Sequence, residues 1–335
     1  MKKIIIFISS SIIGILATIF LLSHFDLTKA FNLLKHITLF RIFGFIVASI
    51  LVKAGLTLRW YIILKAQNIK IKFLKLFGYK IMSYTIGYLT PISRFGGEPL
   101  RAYLLKKEHK IPFKKGLSST TIDLFLQIAG SAIFFFIGVF ILVTLFLLNF
   151  STKIILLIIA ISFMIFLYVL YKHLINGNNI LTPIIKLITL NKAKKLIKQS
   201  DSFEHLIRKF FCNKKKIFYE SILINFITWG FMIIEFKFAL LMIGINAGLL
   251  QTFMIIFFIC MAYLLPVPAA FGGLEGGQLA VFSILKFKKI GGVSISIITR
   301  IRDILWCIVG ISLLSLYGIK GLLFNKNNLM QNKKI

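Results

Sequence analysis

The chain has 335 residues, of which 58% are hydrophobic and only 15% are charged. Soluble domains carry roughly a quarter charged residues, so this composition excludes a soluble enzyme, a disordered segment and a secreted disulfide scaffold, and it predicts an all-α polytopic membrane protein. The 41 Lys and Arg, against 10 Asp and Glu, lie mostly in short loops between apolar runs, which indicates positive-inside anchoring on anionic lipid and no nucleic-acid partner.

Six apolar stretches are long enough to cross a bilayer, which takes about 20 residues. They are residues 4–22, 42–64, 117–148, 154–171, 217–243 and 291–319. The first resembles a signal peptide, but its apolar run is longer than a typical signal core and no A-x-A cleavage site follows it. We therefore interpret it as an uncleaved first span.

Two further apolar stretches are each followed by a Pro/Gly-rich break and a short amphipathic piece. Pro and Gly interrupt helices, and broken backbone at membrane depth needs protein or water around it. We therefore predict two re-entrant hairpins, at 74–105 and 249–286. The second tip contains Pro266 and Pro268, which form either a rigid bend or a simple helix stop.

Charge counting orients these elements with the N-terminus in the cytoplasm of a bacterial-type inner membrane. The inner segments then hold 26 Lys and Arg and the outer segments 7, as the positive-inside rule requires. The longest inner segment, 172–216, has Leu, Ile and Phe at helical spacing among its lysines, which predicts an amphipathic helix on the inner leaflet. Its basic face either binds anionic lipid headgroups or only anchors the topology.

The two hairpins share a pattern of Pro, then Phe-Gly-Gly, then Glu, within residues 90–101 and 265–277. The spans that follow also agree, because the sequence from Asp123 parallels that from Asp303. These agreements predict a single transmembrane domain with an inverted repeat, a common transporter plan. Its parts are a first repeat at 1–150, a second at 151–323 and a basic cytoplasmic tail at 324–335.

Charged residues at membrane depth are costly and by default mark function. Most of them fall in the hairpins and in the spans that follow: Arg94, Glu98, Arg101, Asp123, Glu275, Arg300, Arg302 and Asp303. Others are interpreted as side chains that snorkel to the interface: Lys53, Arg59, Lys80, Glu235 and Lys237.

The first break has the features of an anion site. If a helix begins after Gly97, Glu98 and Arg101 share one face, and Gly96 and Gly97 expose backbone N–H groups at its N-terminus. Arginine adds a bidentate donor that suits phosphate. The alternative is structural, with Arg–Glu and Arg–Asp pairs that lock the hairpins. The second break supplies the other members of the expected substrate-binding site: Pro266, Pro268, Gly272 and Gly273.

No catalytic or metal-binding constellation stands out in the sequence. The three Cys and five His are scattered, without a CxxC or HExxH motif, and no Ser, His and Asp lie together at a common depth. Asp123 and Asp303 could pair as an intramembrane aspartyl site, but the usual local signals are absent and Arg302 adjoins Asp303. We expect neither enzymatic activity nor a cofactor.

Three motifs carry a family resemblance. G-G-E-P-L-R-A-Y-L at 96–104 fits the pattern G-[GE]-x-x-R-x-x-L, P-V-P-A-A-F-G-G-L-E at 266–275 matches P-x-P-G-G-x-G-x-x-E except at its first two glycines, and the final span contains Arg300-Ile-Arg302-Asp303. In these motifs the sequence resembles the flippase-like family named for the transmembrane region of lysylphosphatidylglycerol synthase, over about residues 5–323.

The sequence departs from that family's pattern at two places. Ala269 and Ala270 stand where the family has glycine, so the second tip is expected to be less flexible. Asp123-Leu-Phe-Leu-Gln127 replaces Glu-Arg-x-x-Asp and is similar to a subgroup associated with hopanoid-lipid genes, which favours an isoprenoid-type lipid.

The resemblance implies movement of a lipid with an anionic or phosphate-bearing headgroup across the bilayer. The other hypothesis is a non-catalytic scaffold or accessory subunit for an enzyme of envelope-lipid synthesis. A scaffold could lose Arg101 or Glu275 and keep its fold and partners, whereas a flippase could not lose them and keep transport.

Overall fold

The computed structural model describes residues 20, 23, 37–90, 96–146, 149–176, 194–265 and 267–331. All regular structure in these residues is helical, which confirms the all-α prediction for them. The predicted first span at 4–22 lies almost entirely outside the described residues, and Arg94 and Pro266 also lie outside them.

The described elements follow one another as ten α-helices and one short 3-10 turn. In chain order they are α1 (Leu39–Ala66), α2 (Phe73–Leu89), α3 (Glu98–His109), α4 (Phe113–Leu145), α5 (Phe150–Asn176), α6 (Lys194–Asn213), α7 (Lys215–Met242), α8 (Leu249–Ala262), the 3-10 turn (Pro268–Ala270), α9 (Gly273–Ile284) and α10 (Lys289–Gln331). Helices α1, α4, α5 and α7 are long and apolar enough to cross a membrane. They coincide within a few residues with four of the predicted spans. Helix α10 contains the last predicted span, 291–319. The total of six membrane spans stays a prediction.

Two pairs of short helices, α2 with α3 and α8 with α9, occupy the predicted hairpins. They have 17, 12, 14 and 12 residues. At about 1.5 Å per residue, each is shorter than the hydrocarbon core of roughly 30 Å. At the first break the backbone of Gly97 touches Ser83 so closely that a Cβ atom would clash with it. Glycine therefore lets the second arm of this hairpin pack against the first.

Helices α1 and α7 pack against each other in antiparallel orientation. Arg41 Nη1, near the start of α1, donates to the carbonyl oxygen of Leu241, near the end of α7, at 2.7 Å. Further along α1, Gly55 lies against Thr228. These helices are the second spans of the two predicted repeats. An inverted repeat requires this antiparallel arrangement, and the repeat itself stays a prediction.

The first arm of each hairpin packs on the last span of the other half, α2 on α10 and α8 on α4. In the first of these contacts Gly310 lies against Thr85, and in the second Gly138 lies against Phe257. Helix α2 also contacts the 3-10 turn at the second tip. The two hairpins therefore meet inside the helix bundle.

Helix α6 is the amphipathic helix predicted within 172–216, of which residues 177–193 lie outside the described part. Its Phe210 and Phe211 are buried in one hydrophobic cluster with Ile63 and Leu126. At these positions the apolar face of the helix therefore packs on α1 and α4, and its contact with the inner leaflet stays a prediction. The opposite face is exposed and carries Lys209.

Candidate functional site

The carboxylate of Asp123 on α4 is fully buried and is the centre of a group of cations from three other helices. Its Oδ1 lies 2.8 Å from Arg59 Nε of α1, and its Oδ2 lies 2.5 Å from Lys80 Nζ of α2 and 2.6 Å from Arg101 Nη1 of α3. We call these four residues, together with Glu98, the Asp123 cluster. The cluster ties the first hairpin to two spans.

Glu98 and Arg101 share one face of α3, as the sequence predicts. Helix α3 begins at Glu98, and Arg101 Nη2 lies 3.2 Å from Glu98 Oε1. The guanidinium group lies 4.8 Å from the centre of the Trp60 ring. Two polar atoms here, Arg101 Nε and Glu98 Oε2, are buried without a hydrogen-bond partner within the described part of the chain.

Arg59 uses all three of its guanidinium nitrogens. Besides the bond to Asp123, Nη1 donates to Asn225 Oδ1 at 2.6 Å and Nη2 donates to Gln127 Oε1 at 3.0 Å. Asn225 in turn donates to the carbonyl oxygen of Leu126 at 3.1 Å. Both polar residues of the Asp123–Gln127 segment, which departs from the family pattern, therefore hold the same arginine.

A second group, the Arg302 cluster, joins α7 and α10 to Tyr263, the residue that follows α8. Arg302 Nη1 lies 3.2 Å from Glu235 Oε1, and Arg302 Nε donates to Asp303 Oδ1 at 2.9 Å. The hydroxyl of Tyr263 donates to the other oxygen of Asp303. Arg302 is therefore shared between two buried carboxylates.

The third group is the Glu275–Arg300 pair at the second break. Arg300 Nε donates to Glu275 Oε1 at 2.6 Å, and Nη1 donates to the carbonyl oxygen of Ala269 at 3.2 Å. Glu275 Oε2 accepts from the backbone N–H of Gly272 at 3.0 Å. The Arg300 guanidinium lies 4.4 Å from the centre of the Phe271 ring. The pair braces the turn that precedes α9.

That turn contains two alanines in the left-handed region. Ala269 has φ 52° and Ala270 has φ 51°, which costs an L-residue with a Cβ roughly 1–2 kcal/mol per position. Pro268 opens the 3-10 turn, and Gly273 is the first residue of α9. The two alanines occupy the positions at which the family pattern has glycine, and here the left-handed backbone is built at a steric cost.

The snorkelling interpretation is wrong for Arg59, Lys80 and Glu235. Their side chains are only 1%, 12% and 2% exposed, and all three form ion pairs inside the bundle. Lys53 also points inward, with its Nζ 3.1 Å from the centre of the Tyr84 ring. The sequence could have identified these residues, because an ionisable residue at membrane depth by default faces the protein interior and marks a functional site.

The structure thus distributes the predicted charged residues over three groups. They are Glu98, Arg101 and Asp123 in the first, Arg302 and Asp303 in the second, and Glu275 with Arg300 in the third. Asp123 and Asp303 belong to different groups. A single substrate-binding site that contains all of them stays a prediction.

The formal charges of the groups differ. The Asp123 cluster has three cations and two carboxylates, which gives +1, whereas the Arg302 cluster has one cation and two carboxylates, which gives −1. The Glu275–Arg300 pair is neutral. The formal charges of the three described groups therefore sum to zero, and the excess positive charge lies in the Asp123 cluster.

Comparisons with known proteins point the same way as the motifs. Residues 6–311 match the family described as the lysylphosphatidylglycerol synthase TM region. A UPF0104 membrane protein of Pyrococcus horikoshii is 23% identical over 262 residues, which cover 72% of this chain and 76% of that protein. A UPF0104 membrane protein of Methanocaldococcus jannaschii is 35% identical over 96 residues, which cover 29% of this chain and 28% of the relative. One of Methanothermobacter thermautotrophicus is 33% identical over 78 residues, 23% of each chain.

Proposed function

Since this multi-pass membrane protein belongs to the family of the lysylphosphatidylglycerol synthase TM region, we propose that it is a flippase-like transporter and not an enzyme. Its substrate is a lipid with an anionic or phosphate-bearing headgroup. The similarity of the Asp123–Gln127 segment to a hopanoid-associated subgroup favours an isoprenoid-type lipid as the carrier of that headgroup.

The Asp123 cluster is the observation that carries this proposal. A surplus positive charge at membrane depth is costly, and an anionic headgroup would compensate it. Arg101 Nε is a buried donor without a partner in the described residues, and an incoming phosphate oxygen can accept from it. A guanidinium also matches phosphate in geometry and forms short charge-assisted hydrogen bonds with it.

The ion pairs around Asp123 support reversible binding. A phosphate that draws Arg101 away leaves Asp123 still paired with Arg59 and Lys80. The exchange therefore leaves the Asp123 carboxylate compensated, and the buried pair that it breaks is that of Arg101 with Glu98; a broken buried pair costs about 3–5 kcal/mol, which favours return of the arginine. Because the arginine can return to its original partners, the headgroup can leave again, as transport requires.

The proposed orientation places the N-terminus in the cytoplasm of an inner (plasma) membrane, following the charge bias of the loops. In this orientation α3 ends at the cytoplasmic surface. Arg101 lies eight residues before that end, about 12 Å along the helix, so the Asp123 cluster lies nearer the cytoplasmic surface than the outer one. On that side the exposed face of α6, with Arg208 and Lys209, is placed to contact anionic lipids of the inner leaflet.

A reconstitution experiment tests the transport proposal. The protein is placed in phosphatidylcholine vesicles with acyl-chain-labelled phosphatidic acid or phosphatidylglycerol, or with labelled polyprenyl phosphate, and dithionite bleaching reports which leaflet the label occupies. Arg101→Ala should abolish movement of the anionic lipid that the wild type moves. Arg101→Lys should restore only part of it, because lysine is a point charge without the bidentate fork. Arg41→Ala, at the start of α1 and away from the Asp123 cluster, is the matched control.

The controls separate loss of transport from loss of protein. Every variant must accumulate in the membrane at the wild-type level and elute from gel filtration as the wild type does. Wild-type transport by Arg101→Ala would contradict the role of the Asp123 cluster. Equal rates with and without wild-type protein for every anionic probe would overturn the transport proposal and favour the scaffold hypothesis.

A further inference from the structure

A cleft of about 330 Å³ opens where the loop between α1 and α2 meets the loop between α3 and α4. It is lined by Asn68, Ile69, Lys70, Ile71, His109, Lys110, Ile111, Pro112 and Lys115. Its size falls at the lower end of the range for small-molecule sites, roughly 300–1,000 Å³. The transport proposal does not use this cleft.

The polar lining of the cleft is strongly cationic. Lys70, Lys110 and Lys115 all line the cleft, and none of the three forms an ion pair among residues that the structure describes. The loops 65–75 and 106–115 together hold nine lysines and a single acid, Glu108. Three neighbouring cations without a counterion are an arrangement that an anion would stabilise.

The apolar part of the lining is buried, whereas Lys70 and Lys110 are exposed. Ile69 and Ile71 are 7% and 8% exposed, and they belong to the hydrophobic cluster that includes Leu104 and Leu105 of α3. A site with a buried apolar floor and a cationic rim fits an amphiphile with a charged head better than a simple ion. A lipid phosphate at the membrane surface has this chemistry.

The start of helix α4 adds to the positive potential at the same place. It begins at Phe113 after Pro112, with no side-chain cap and no acidic residue in its first turn. Lys115 stands there instead, although acidic residues are the ones favoured at the positive end of a helix dipole. The lysine therefore works against the stability of α4 unless an anion occupies the cleft.

We propose that this cleft binds a phosphate anion, either in the headgroup of a membrane lipid or as free phosphate. The site is distinct from the Asp123 cluster, since His109 and Arg101 are separated by eight residues of α3, about 12 Å along the helix. The proposal concerns binding alone and does not depend on transport.

Native mass spectrometry of the detergent-purified full chain tests the proposal, with dioleoyl phosphatidic acid as the probe and dioleoyl phosphatidylcholine as the reference lipid. The wild type should retain phosphatidic acid in preference to phosphatidylcholine. The cleft variant Lys70→Gln/Lys110→Gln/Lys115→Gln should bind phosphatidic acid about tenfold more weakly or worse, a change of one decade in the dissociation constant.

The matched control is Lys65→Gln/Lys72→Gln/Lys106→Gln. It removes the same charge from three exposed lysines of the same loops that do not line the cleft, so it should bind almost as the wild type does. Replacement of the cleft lysines by arginine should preserve binding. Equal losses in the cleft and control variants would overturn the proposal, since they would show only diffuse surface attraction. No loss in the cleft variant would overturn it as well.

A competition arm identifies the source of the phosphate. If inorganic phosphate displaces phosphatidic acid from the wild type but not from residual sites of the cleft variant, the cleft accepts the free anion. If it does not displace the lipid while the cleft lysines are still needed, the cleft requires a lipid headgroup. Both results support an anion site there, and the lysine variants alone decide whether it exists.

Discussion

Arg59 and Asp123 lie 64 residues apart in the sequence, and they form a 2.8 Å ion pair whose side chains are 1% and 0% exposed. The pair joins α1 to α4 at the centre of the Asp123 cluster. Desolvation makes such a pair a poor source of net stability, but removal of Asp123 leaves three cations with Glu98 alone, whereas removal of Arg59 leaves Asp123 with Lys80 and Arg101. This asymmetry gives a direct prediction.

Asp123 keeps Lys80 and Arg101 when Arg59 is replaced, but Gln127 and Asn225 lose their shared donor. Arg59→Met should therefore lower the free energy of unfolding by roughly 1–3 kcal/mol, the cost of buried acceptors left without a donor. Asp123→Asn should be at least as damaging, because three cations then face only Glu98. Denaturation of the detergent-purified protein, followed by circular dichroism, measures the loss. Arg41→Met is the control, and a midpoint for Arg59→Met equal to the wild type would contradict the prediction.

The left-handed alanines at the second tip lead to a prediction about glycine. Ala269→Gly relieves backbone strain of roughly 1–2 kcal/mol. This gain offsets two losses, the contacts of the methyl group and the entropy of a more flexible unfolded chain, the latter about 0.4–1 kcal/mol. The unfolding free energy should therefore stay within about 1 kcal/mol of the wild type. Ala269→Val should be clearly destabilising, because a β-branched residue fits a positive φ poorly.

Ala239 provides the comparison for that experiment. It is fully buried in α7, where glycine relieves no strain and costs about 1 kcal/mol in helix propensity alone. Ala239→Gly should therefore be more destabilising than Ala269→Gly in the same denaturation assay. The reverse order would show that the turn at Ala269 carries no strain.

Single-cysteine labelling checks the orientation. In a background with Cys212, Cys260 and Cys307 replaced, a membrane-impermeant thiol reagent should reach Lys288→Cys from outside intact cells. It should reach Lys209→Cys only after the cells are opened, because α6 is predicted to lie in the cytoplasm. Labelling of Lys209→Cys from outside alone would refute the proposed topology.

The sequence predicts the broken helices well because Pro and Gly act locally. The breaks at Gly96-Gly97 and at Pro268 appear where the residues themselves interrupt a helix, and Glu98 and Arg101 share a face because their spacing of three fixes it. The left-handed backbone at Ala269 could be anticipated only from the resemblance, since alanine on its own gives no signal for a positive φ.

The sequence does not predict which partner each membrane charge takes, because the partners come from distant helices. The position of Arg59 near the end of a span predicts that it lies at the interface, yet the rotation of α1 points it inward. The same prediction is wrong for Glu235, since only the packing of α7 against α10 brings it to Arg302. Depth along a helix can be estimated from sequence, whereas the direction that a side chain faces depends on tertiary packing.

Glu235 and Arg302 give the last prediction, because they reverse the arrangement of Arg59 and Asp123. In the first half α1 supplies the cation and α4 the acid, whereas in the second half α7 supplies the acid and α10 the cation. Glu235→Gln keeps an oxygen acceptor for Arg302, which stays paired with Asp303 at 2.8 Å, so it should cost only about 1 kcal/mol. Arg302→Met leaves the buried carboxylates of Glu235 and Asp303 without their shared cation and should cost roughly 3–5 kcal/mol.

The double variant distinguishes an ion pair from two independent packing effects. Once Glu235 is neutral, the loss of Arg302 strands one carboxylate instead of two, and Tyr263 still donates to Asp303. The double variant should therefore be more stable than the sum of the single effects implies, with a coupling energy of about 0.5–3 kcal/mol. Denaturation of the four proteins in the same detergent measures this coupling. Additive losses would show that Glu235 and Arg302 contribute separately and that the second half has no counterpart of the Arg59–Asp123 pair.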